Sequence, residues 1–315
     1  MQPQVAKGIA DTATAKKATG DSAKIRRTSG RGWSYSLTSW LGLVPFLLFC
    51  LLFEILPAII IIQGSLSDDK TGAPTLDNYR HMFSSENFHA FQTSVSISLV
   101  TALLGGIFGA LAAYGVYNLR TGWLRNLLIG FSSIAANFAG VPLAFAFVAT
   151  LGVTGFVTVA LHNWLHFDLY GAGFSIYNFW GLVIVYVYFQ LPLMILVTLP
   201  ALSALRPEWR EAATNLGASN FTYWRRVALP ILLPSLVAAA MLLFANSFGA
   251  FATAFALAQG NINLVPILIN FVVNGNVTVD FGLGNALAVG MIVVLLAAVS
   301  LYTAMLRRVS TWQGR

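Results

Sequence analysis

The chain has 315 residues, of which 57% are hydrophobic and 9% are charged, and its formal net charge is +7. An average soluble domain carries about 25% charged residues, so this chain cannot cover a water-exposed surface. It is therefore predicted to be an integral membrane protein surrounded by membrane lipid. The basic residues form short clusters beside apolar runs, as orientation signals of membrane proteins do, and this arrangement argues against nucleic-acid binding. The single cysteine, Cys50, excludes a disulfide within the chain.

Residues 1–39 are rich in Ala, Thr, Ser, Gly and Lys and nearly lack large apolar side chains, which predicts a disordered, basic, cytoplasmic arm. Apolar segments follow, each long enough for a membrane-spanning helix of about 20 residues. The predicted spans lie near 41–63, 93–117, 127–150, 179–203, 227–248 and 286–306. The predicted fold class is all-α: a polytopic membrane protein with six transmembrane helices. Its predicted parts are the arm, a first helix with its outer loop (40–92), a five-helix core (93–308) and a tail (309–315).

The charges of the loops predict the orientation. If the loops alternate sides, every Lys and Arg except Lys70 and Arg80 falls on one side of the membrane. Positive charge accumulates on the cytoplasmic side of membrane proteins, so both termini are predicted to be cytoplasmic.

Two outer segments carry further patterns. The first outer loop, about 64–92, is acidic and long enough for a short surface helix. After Pro266 an apolar run too short to cross the membrane predicts a re-entrant or surface-lying helix. His162 and His166 are four residues apart, a spacing that could hold a metal on one helix face. We interpret them instead as interfacial histidines, because only Asp168 lies close enough to add a ligand.

Small residues recur every four positions in the second predicted span, at Gly105, Gly109 and Ala113. This spacing allows another helix to approach closely, so a packing role is predicted.

The cytoplasmic loop 205–226 predicts a short helix between the fourth and fifth spans. Pro207 suits the first turn of a helix, and Glu208 and Glu211 are predicted to lie where the helix dipole favours negative charge. Gly217 can adopt the left-handed conformation that ends a helix, and Ser219 can cap the next one.

This loop contains a spaced motif: Glu-Ala-Ala, three residues, Gly, nine residues, an aliphatic residue, any residue, Leu and Pro. It is matched by Glu211, Ala212, Ala213, Gly217, Val227, Leu229 and Pro230. The motif resembles that of the inner-membrane permease subunit of binding-protein-dependent ABC importers, which have the type I importer fold. The usual aliphatic residue is Ile, so Val227 is a mild departure.

The resemblance implies a coupling helix that docks into a cleft of an ATP-hydrolysing subunit. The residues that it assigns to coupling are Glu208, Glu211, Ala212, Ala213, Gly217, Leu229 and Pro230. The implied partners are an ABC ATPase dimer, a second permease subunit and a periplasmic or extracellular substrate-binding protein. A heterodimer is favoured over a homodimer on resemblance alone. The implied location is the bacterial inner membrane.

Catalysis by the chain itself is not predicted. It contains no Gly-rich phosphate-binding loop followed by Lys and Ser or Thr, and no nucleophile with a neighbouring base. ATP would therefore be hydrolysed on a separate chain, and no cofactor is expected. The alternative from another class, an ion-coupled carrier, would require ionisable residues near the membrane midplane.

Polar residues within the spans are candidates for the substrate pathway. They are Glu54, Asn137, Tyr186, Gln190, Asn246 and Ser247. A charge inside hydrocarbon is costly, which singles out Glu54, although it could also reach the interface or pair locally. Each of the other side chains could equally hydrogen-bond helices to one another.

The cargo is predicted only by resemblance. The basic arm, the first span with Glu54 and Pro57, and the acidic outer loop resemble spermidine/putrescine permeases. More loosely they resemble permeases for iron(III), thiamine and 2-aminoethylphosphonate, which remain alternatives. Sulfate, molybdate and iron relatives often read Glu-Phe-Gly-Ala in the fifth span, where this chain has Ser247-Phe248-Gly249-Ala250. A small polar or cationic solute such as a polyamine is therefore favoured.

Overall fold

The computed structural model describes residues 43–258, 261–275 and 279–313. Within these ranges the chain is helical, and the only β-bridge pairs Ser67 with Pro74 without forming a strand. The chain divides into two compact units, Met1–Pro57 and Ala58–Arg315. The predicted all-α fold is confirmed, and the arm predicted at 1–39 lies outside the described residues.

We number the helices of the described ranges in chain order. They are α1 (Leu43–Ser65), α2 (Asp77–Met82), α3 (Ser85–Tyr117), α4 (Gly122–Asn137), α5 (Val141–Leu151), α6 (Phe156–Leu165), α7 (Phe179–Ser203), α8 (Pro207–Asn215), α9 (Asn220–Phe248), α10 (Phe251–Ala258), α11 (Val265–Asn274) and α12 (Phe281–Gln313). Six stretches are long and apolar enough to cross a membrane, as the sequence predicts. They are Leu43–Ser65, Ser85–Tyr117, Val141–Leu165, Phe179–Ser203, Asn220–Phe248 and Phe281–Met305.

The bounds of the third predicted span are wrong. The sequence predicts one helix over 127–150, whereas α4 ends at Asn137 and a new helix begins four residues later, at Val141. Gly140 has a φ of +77°, which no α-helix accommodates, and Pro142 lies in the first turn of the next helix, where its missing N–H is harmless. The stretch that is long and apolar enough to cross runs instead over Val141–Leu165, with a short break between α5 and α6.

Other elements agree with the sequence more closely. Helix α2 is the short helix predicted in the first outer loop, and α11 is the short apolar helix predicted around Pro266. Two helices are longer than predicted. Helix α9 begins at Asn220 instead of 227, and α12 continues to Gln313, so it takes in most of the predicted tail.

The most extensive helix contact in the core is between α3 and α7. A Cβ atom added at Gly105 would lie 2.8 Å from the Cβ of Gln190, and one added at Gly109 would lie 2.5 Å from the Cβ of Met194. Only glycine fits at such distances, and Ala113, one turn further on, is completely buried. The predicted packing role of these small residues is confirmed.

Two helices contain a wide π-turn just before a proline. In α1 the π-turn Leu51–Ile55 precedes Pro57, and in α9 the π-turn Trp224–Ala228 precedes Pro230. Proline cannot donate a hydrogen bond, and its ring clashes with the carbonyl four residues earlier. A wider turn moves that carbonyl away, so both helices continue past their prolines.

Candidate coupling surface and polar core

Helix α8 lies between α7 and α9, where the sequence predicts a short helix. Arg206 has an extended conformation and Pro207 takes the first helical position, where no N–H is needed. Glu208 lies in the first turn, close to the positive end of the helix dipole. Glu211 lies in the second turn, so the prediction that the dipole also stabilises this carboxylate is wrong, because that effect fades within one turn.

The end of α8 is fixed by a Schellman motif. Gly217 has a φ of +77°, its N–H donates to the carbonyl of Thr214 at 2.9 Å, and the N–H of Ala218 donates to the carbonyl of Ala213 at 3.0 Å. Ser219 then caps α9, because its Oγ accepts a hydrogen bond from the N–H of Thr222 at 3.2 Å. The loop on the C-terminal side of α8 therefore has a defined geometry.

The two faces of α8 have different surroundings. Trp209 and Ala213 are partly buried against the end of the bundle, in an apolar cluster that contains Leu205 and Tyr223. On the other face Glu208, Glu211, Ala212 and Asn215 are exposed. The guanidinium of Arg206 lies over the Trp209 ring, 5.9 Å from its centre, in a cation–π contact.

Two large apolar side chains beside α8 were missed by sequence reasoning. Leu216, in the loop after α8, is 88% exposed, and Phe221, in the first turn of α9, is 74% exposed. Large apolar residues outside the predicted spans were the signal that could have found them. An exposed apolar pair next to a rigid helix is typical of a protein-binding surface.

The remaining candidates for coupling lie on α9. Leu229 and Pro230 begin the regular part of this helix after its π-turn, and both are exposed.

Three buried polar side chains connect α3, α7 and α9. The hydroxyls of Thr101 and Ser247 are 2.9 Å apart, and Nε2 of Gln190 donates to Oγ1 of Thr101 at 3.2 Å. All three residues are at most 3% exposed. Oε1 of Gln190 has no hydrogen-bond partner among the described residues. Thr101 was missed from the sequence because a single threonine in an apolar run carries no specific signal.

The six pathway candidates do not form one cluster. Tyr186 is buried and its hydroxyl donates to the carbonyl of Ala250 at 2.6 Å, so it holds helices together as Gln190 and Ser247 do. Asn137 and Asn246, in contrast, are exposed in the last turns of α4 and α9. Glu54 is exposed as well and belongs to the other compact unit.

The helix break after α4 is joined to α10, the helix that follows the break after α9. The N–H of Gly140 donates to Oγ1 of Thr253 at 2.8 Å, and Thr253 is 2% exposed. Irregular backbone at membrane depth is tolerated only where it is buried in protein or lines a water-filled cavity. The exposed Asn137 and Asn246 are therefore each within a few residues of a helix break.

Most carboxylates of the predicted outer loops bind their own backbone. Asp68 accepts hydrogen bonds from the N–H groups of Lys70 and Thr71, Asp69 from that of Gly282, Asp168 from that of Gly171, and Asp280 from that of Leu283, at 2.7 to 3.0 Å. Asp68 and Asp168 stabilise local turns, and Asp69 and Asp280 bind N–H groups at the start of α12, so the acidic loops are weaker support for a cationic cargo than the sequence suggests. The hydroxyl and the N–H of Thr71, then the N–H of Lys70, hold the pKa of Asp68 below its usual value.

Six candidate spans and a short helix outside them, with one exposed face, define a multi-pass helical membrane protein. The chain belongs to the family of binding-protein-dependent transport system inner membrane components, whose pattern matches residues 105–311. It is a permease subunit of an ABC importer and a multi-pass protein of the inner membrane. The recognition made from the loop motif is thereby confirmed.

Individual relatives carry different cargoes. The chain is 27% identical over 258 residues to the spermidine/putrescine transport system permease protein PotC of Haemophilus influenzae, covering 80% of this chain and 91% of PotC. It is 30% identical over 202 residues to the trehalose transport system permease protein SugB of Mycobacterium tuberculosis, covering 61% and 66%. The fold is similar to that of a bacterial ABC transporter involved in alginate import, with a TM-score of 0.68 and 17% identity over 88% of this chain and 96% of that one.

Proposed function

We propose that this chain forms one half of a transmembrane pathway and that α8 couples it to a separate ATP-hydrolysing subunit. The observation that carries the proposal is the asymmetry of α8. Trp209 and Ala213 are held against the bundle, while the opposite face and the neighbouring Leu216 are exposed. A helix that packs against the bundle on one face and is exposed on the other can bind a partner and transmit its movement to the bundle.

The connections of α8 make it suitable for this task. It follows α7 after three residues and precedes α9 after four, and its C-terminal end is closed by the Schellman motif at Gly217. When the ATPase dimer closes, α8 moves as a rigid body, and α7 and α9 tilt with it. Glu208, Glu211 and Ala212 contact the ATPase, and Leu229 and Pro230 transmit the movement at the start of the straight part of α9.

Asn137 and Asn246 line the pathway in this proposal, because they are exposed beside the two helix breaks. Glu54 is a further pathway candidate. Tyr186, Gln190 and Ser247 are assigned a positioning role, since each is buried and hydrogen-bonded across helices. The other half of the pathway is a second permease subunit, with a heterodimer favoured, and a periplasmic binding protein delivers the cargo.

A polyamine is the first candidate cargo. Its support is the similarity to PotC, which extends over 80% of this chain. A neutral sugar is the second candidate, favoured by the similarity to the trehalose permease and by the hydrogen bonds that the outer carboxylates already make to backbone N–H groups. Iron(III), thiamine and 2-aminoethylphosphonate have no comparable support from these relatives.

Uptake by the reconstituted transporter tests the proposal. The chain is placed in liposomes with its second permease, its ATPase and its binding protein, and uptake of labelled spermidine and trehalose is measured with and without ATP. We expect uptake of one of them only with ATP and the ATPase. Uptake driven by an ion gradient, without the ATPase, would show an ion-coupled carrier instead.

A matched pair of substitutions at Gly217 tests the role of α8. Gly217→Val places a β-branched side chain at a φ of +77°, which costs about 1–2 kcal/mol and disrupts the end of the helix. Gly217→Asn is the control, because asparagine tolerates the left-handed conformation. We expect uptake to fall about 5- to 30-fold in Gly217→Val and to stay near normal in Gly217→Asn, with equal insertion of both. Equal uptake by the two variants would contradict the role of α8.

A further inference from the structure

The end of α7 opposite α8 borders a polar cleft. Its volume is about 730 Å³, and three separate segments line it: the start of α3, the chain before α7 and the loop between α10 and α11. Helix α7 has 25 residues, so the cleft lies about 37 Å from the start of α8. If α8 faces the cytoplasm, the cleft opens on the outer side.

The side chains of the cleft have unused hydrogen-bonding groups. The hydroxyl of Tyr177, the imidazole of His89 and the amides of Asn261 and Asn263 have no hydrogen-bond partner among the described residues. Asn178 accepts a hydrogen bond from the N–H of Gly181 through Oδ1, which leaves its Nδ2 available.

The two asparagines are held in place by the residues between and beside them. Ile262 is 8% exposed and Leu264 is 3% exposed, and both are part of the main apolar cluster. Their burial fixes the loop, so Asn261 and Asn263 are exposed while the backbone is anchored. The asparagines of the cleft are therefore held by backbone that is anchored in the apolar core.

Among the described residues, the lining includes no carboxylate and no Lys or Arg. Amide and hydroxyl oxygens accept hydrogen bonds from ammonium groups as well as from hydroxyl groups, and Tyr177 and Phe179 add aromatic rings. A volume of this size is in the range of small-molecule sites, about 300–1,000 Å³. A site that offers no ion pair binds its solute weakly. Weak binding is suitable here, because a transported solute must leave the site again.

We propose that this cleft is a receiving site, where the transported solute binds by hydrogen bonds before it enters the pathway. The ligand class is a small solute with several ammonium or hydroxyl groups, bound without an ion pair. Asn261, Asn263 and Tyr177 are the residues that contact it. The inference rests on the proposed function, because it takes the cleft to be on the side from which cargo arrives.

Direct binding to the complete transporter tests this inference. The chain is purified with its second permease and ATPase but without the binding protein, and equilibrium binding of labelled spermidine and of labelled trehalose is measured separately. We expect saturable binding of one of them. In the double variant Asn261→Ala/Asn263→Ala its Kd rises at least about tenfold, because two hydrogen bonds are lost. Asn274→Ala is the matched control, an exposed asparagine on α11 outside the cleft.

The possible outcomes separate the site from the proposed function. Binding of spermidine would show that the cleft recognises ammonium groups, and binding of trehalose would show that it recognises hydroxyl groups. An unchanged Kd in the double variant, or no saturable binding of either solute, overturns the receiving site. It is also overturned if the double variant binds solute normally but needs more binding protein to stimulate its ATPase, since the cleft would then bind the binding protein. ATP-dependent uptake by the unchanged transporter tests the proposed function independently of these results.

Discussion

The two ends of α7 are built in opposite ways. At its C-terminal end α7 is followed by α8. Trp209 anchors α8 to the bundle and the hydrogen bonds around Gly217 end it, so the backbone there is fixed. At its N-terminal end the start of α3 and two loops surround an open cleft, whose phenol and asparagine amides have free hydrogen-bonding groups among the described residues. This difference shows that a surface that transmits movement and a surface that binds a solute have different structural requirements. Transmission of movement needs a fixed backbone, whereas solute binding needs hydrated polar groups that can exchange partners.

What joins the two ends is the close contact of α7 with α3. Gly109 lies against Met194 near the middle of this contact, and the buried Thr101–Gln190 hydrogen bond lies about two turns nearer the cleft. Both ends of the molecule therefore depend on one glycine-dependent interface.

The largest effect is expected for Gly109→Leu. The new side chain would start 2.5 Å from the Cβ of Met194 and 3.1 Å from the carbonyl oxygen of Leu191, so α3 and α7 would have to separate. Overpacking costs typically about 1–3 kcal/mol, and backbone displacement adds to it. We expect a lower thermal unfolding temperature of the purified chain and loss of both uptake and solute binding. Gly115→Leu is the control, because a Cβ atom there meets nothing within 4 Å. Equal unfolding temperatures of the two variants would disprove the interface.

An intermediate effect, confined to one end, is expected for Trp209→Ala. Removal of this partly buried ring loosens α8 from the bundle at a cost of about 1–3 kcal/mol, less than for a fully buried tryptophan. We expect ATP-driven uptake to fall about tenfold while the Kd of the solute at the cleft is unchanged. Trp123→Ala is the matched control, since that ring is 72% exposed at the start of α4. A parallel loss of solute binding in Trp209→Ala would show that the two ends are not separable.

The coupling end could be predicted from sequence because its signals are local. Pro207, Gly217 and Ser219 each act on the backbone within a few residues, and all three have the predicted roles. Glycines four residues apart are a local signal too, and Gly105 and Gly109 pack as predicted.

The other features could not be predicted because they depend on residues far apart in the chain. The cleft combines the start of α3 with loops near positions 175 and 261, and Thr101 pairs with Ser247 across 146 positions. The break at Gly140 was hidden for another reason. The residues on either side of Gly140 are apolar, and hydropathy does not register the backbone freedom of one glycine.

The smallest effect is expected for Asp68→Asn, which tests whether the acidic loops bind solute. The hydroxyl and N–H of Thr71 and the N–H of Lys70 stabilise the charged carboxylate, so its pKa lies below the usual 3.8. A lowered pKa means that the turn is stabilised above about pH 3.8 and loses this stabilisation as the pH falls through the lower folded-state pKa. We expect the carbon-13 shift of a labelled Asp68 carboxyl to titrate below pH 3.8, and solute binding at neutral pH to be the same in Asp68→Asn as in the unchanged chain. The carboxylate already accepts local hydrogen bonds, so we expect it to make no contact with the solute. A loss of spermidine binding in Asp68→Asn would instead place the site that recognises the cation in the acidic loop.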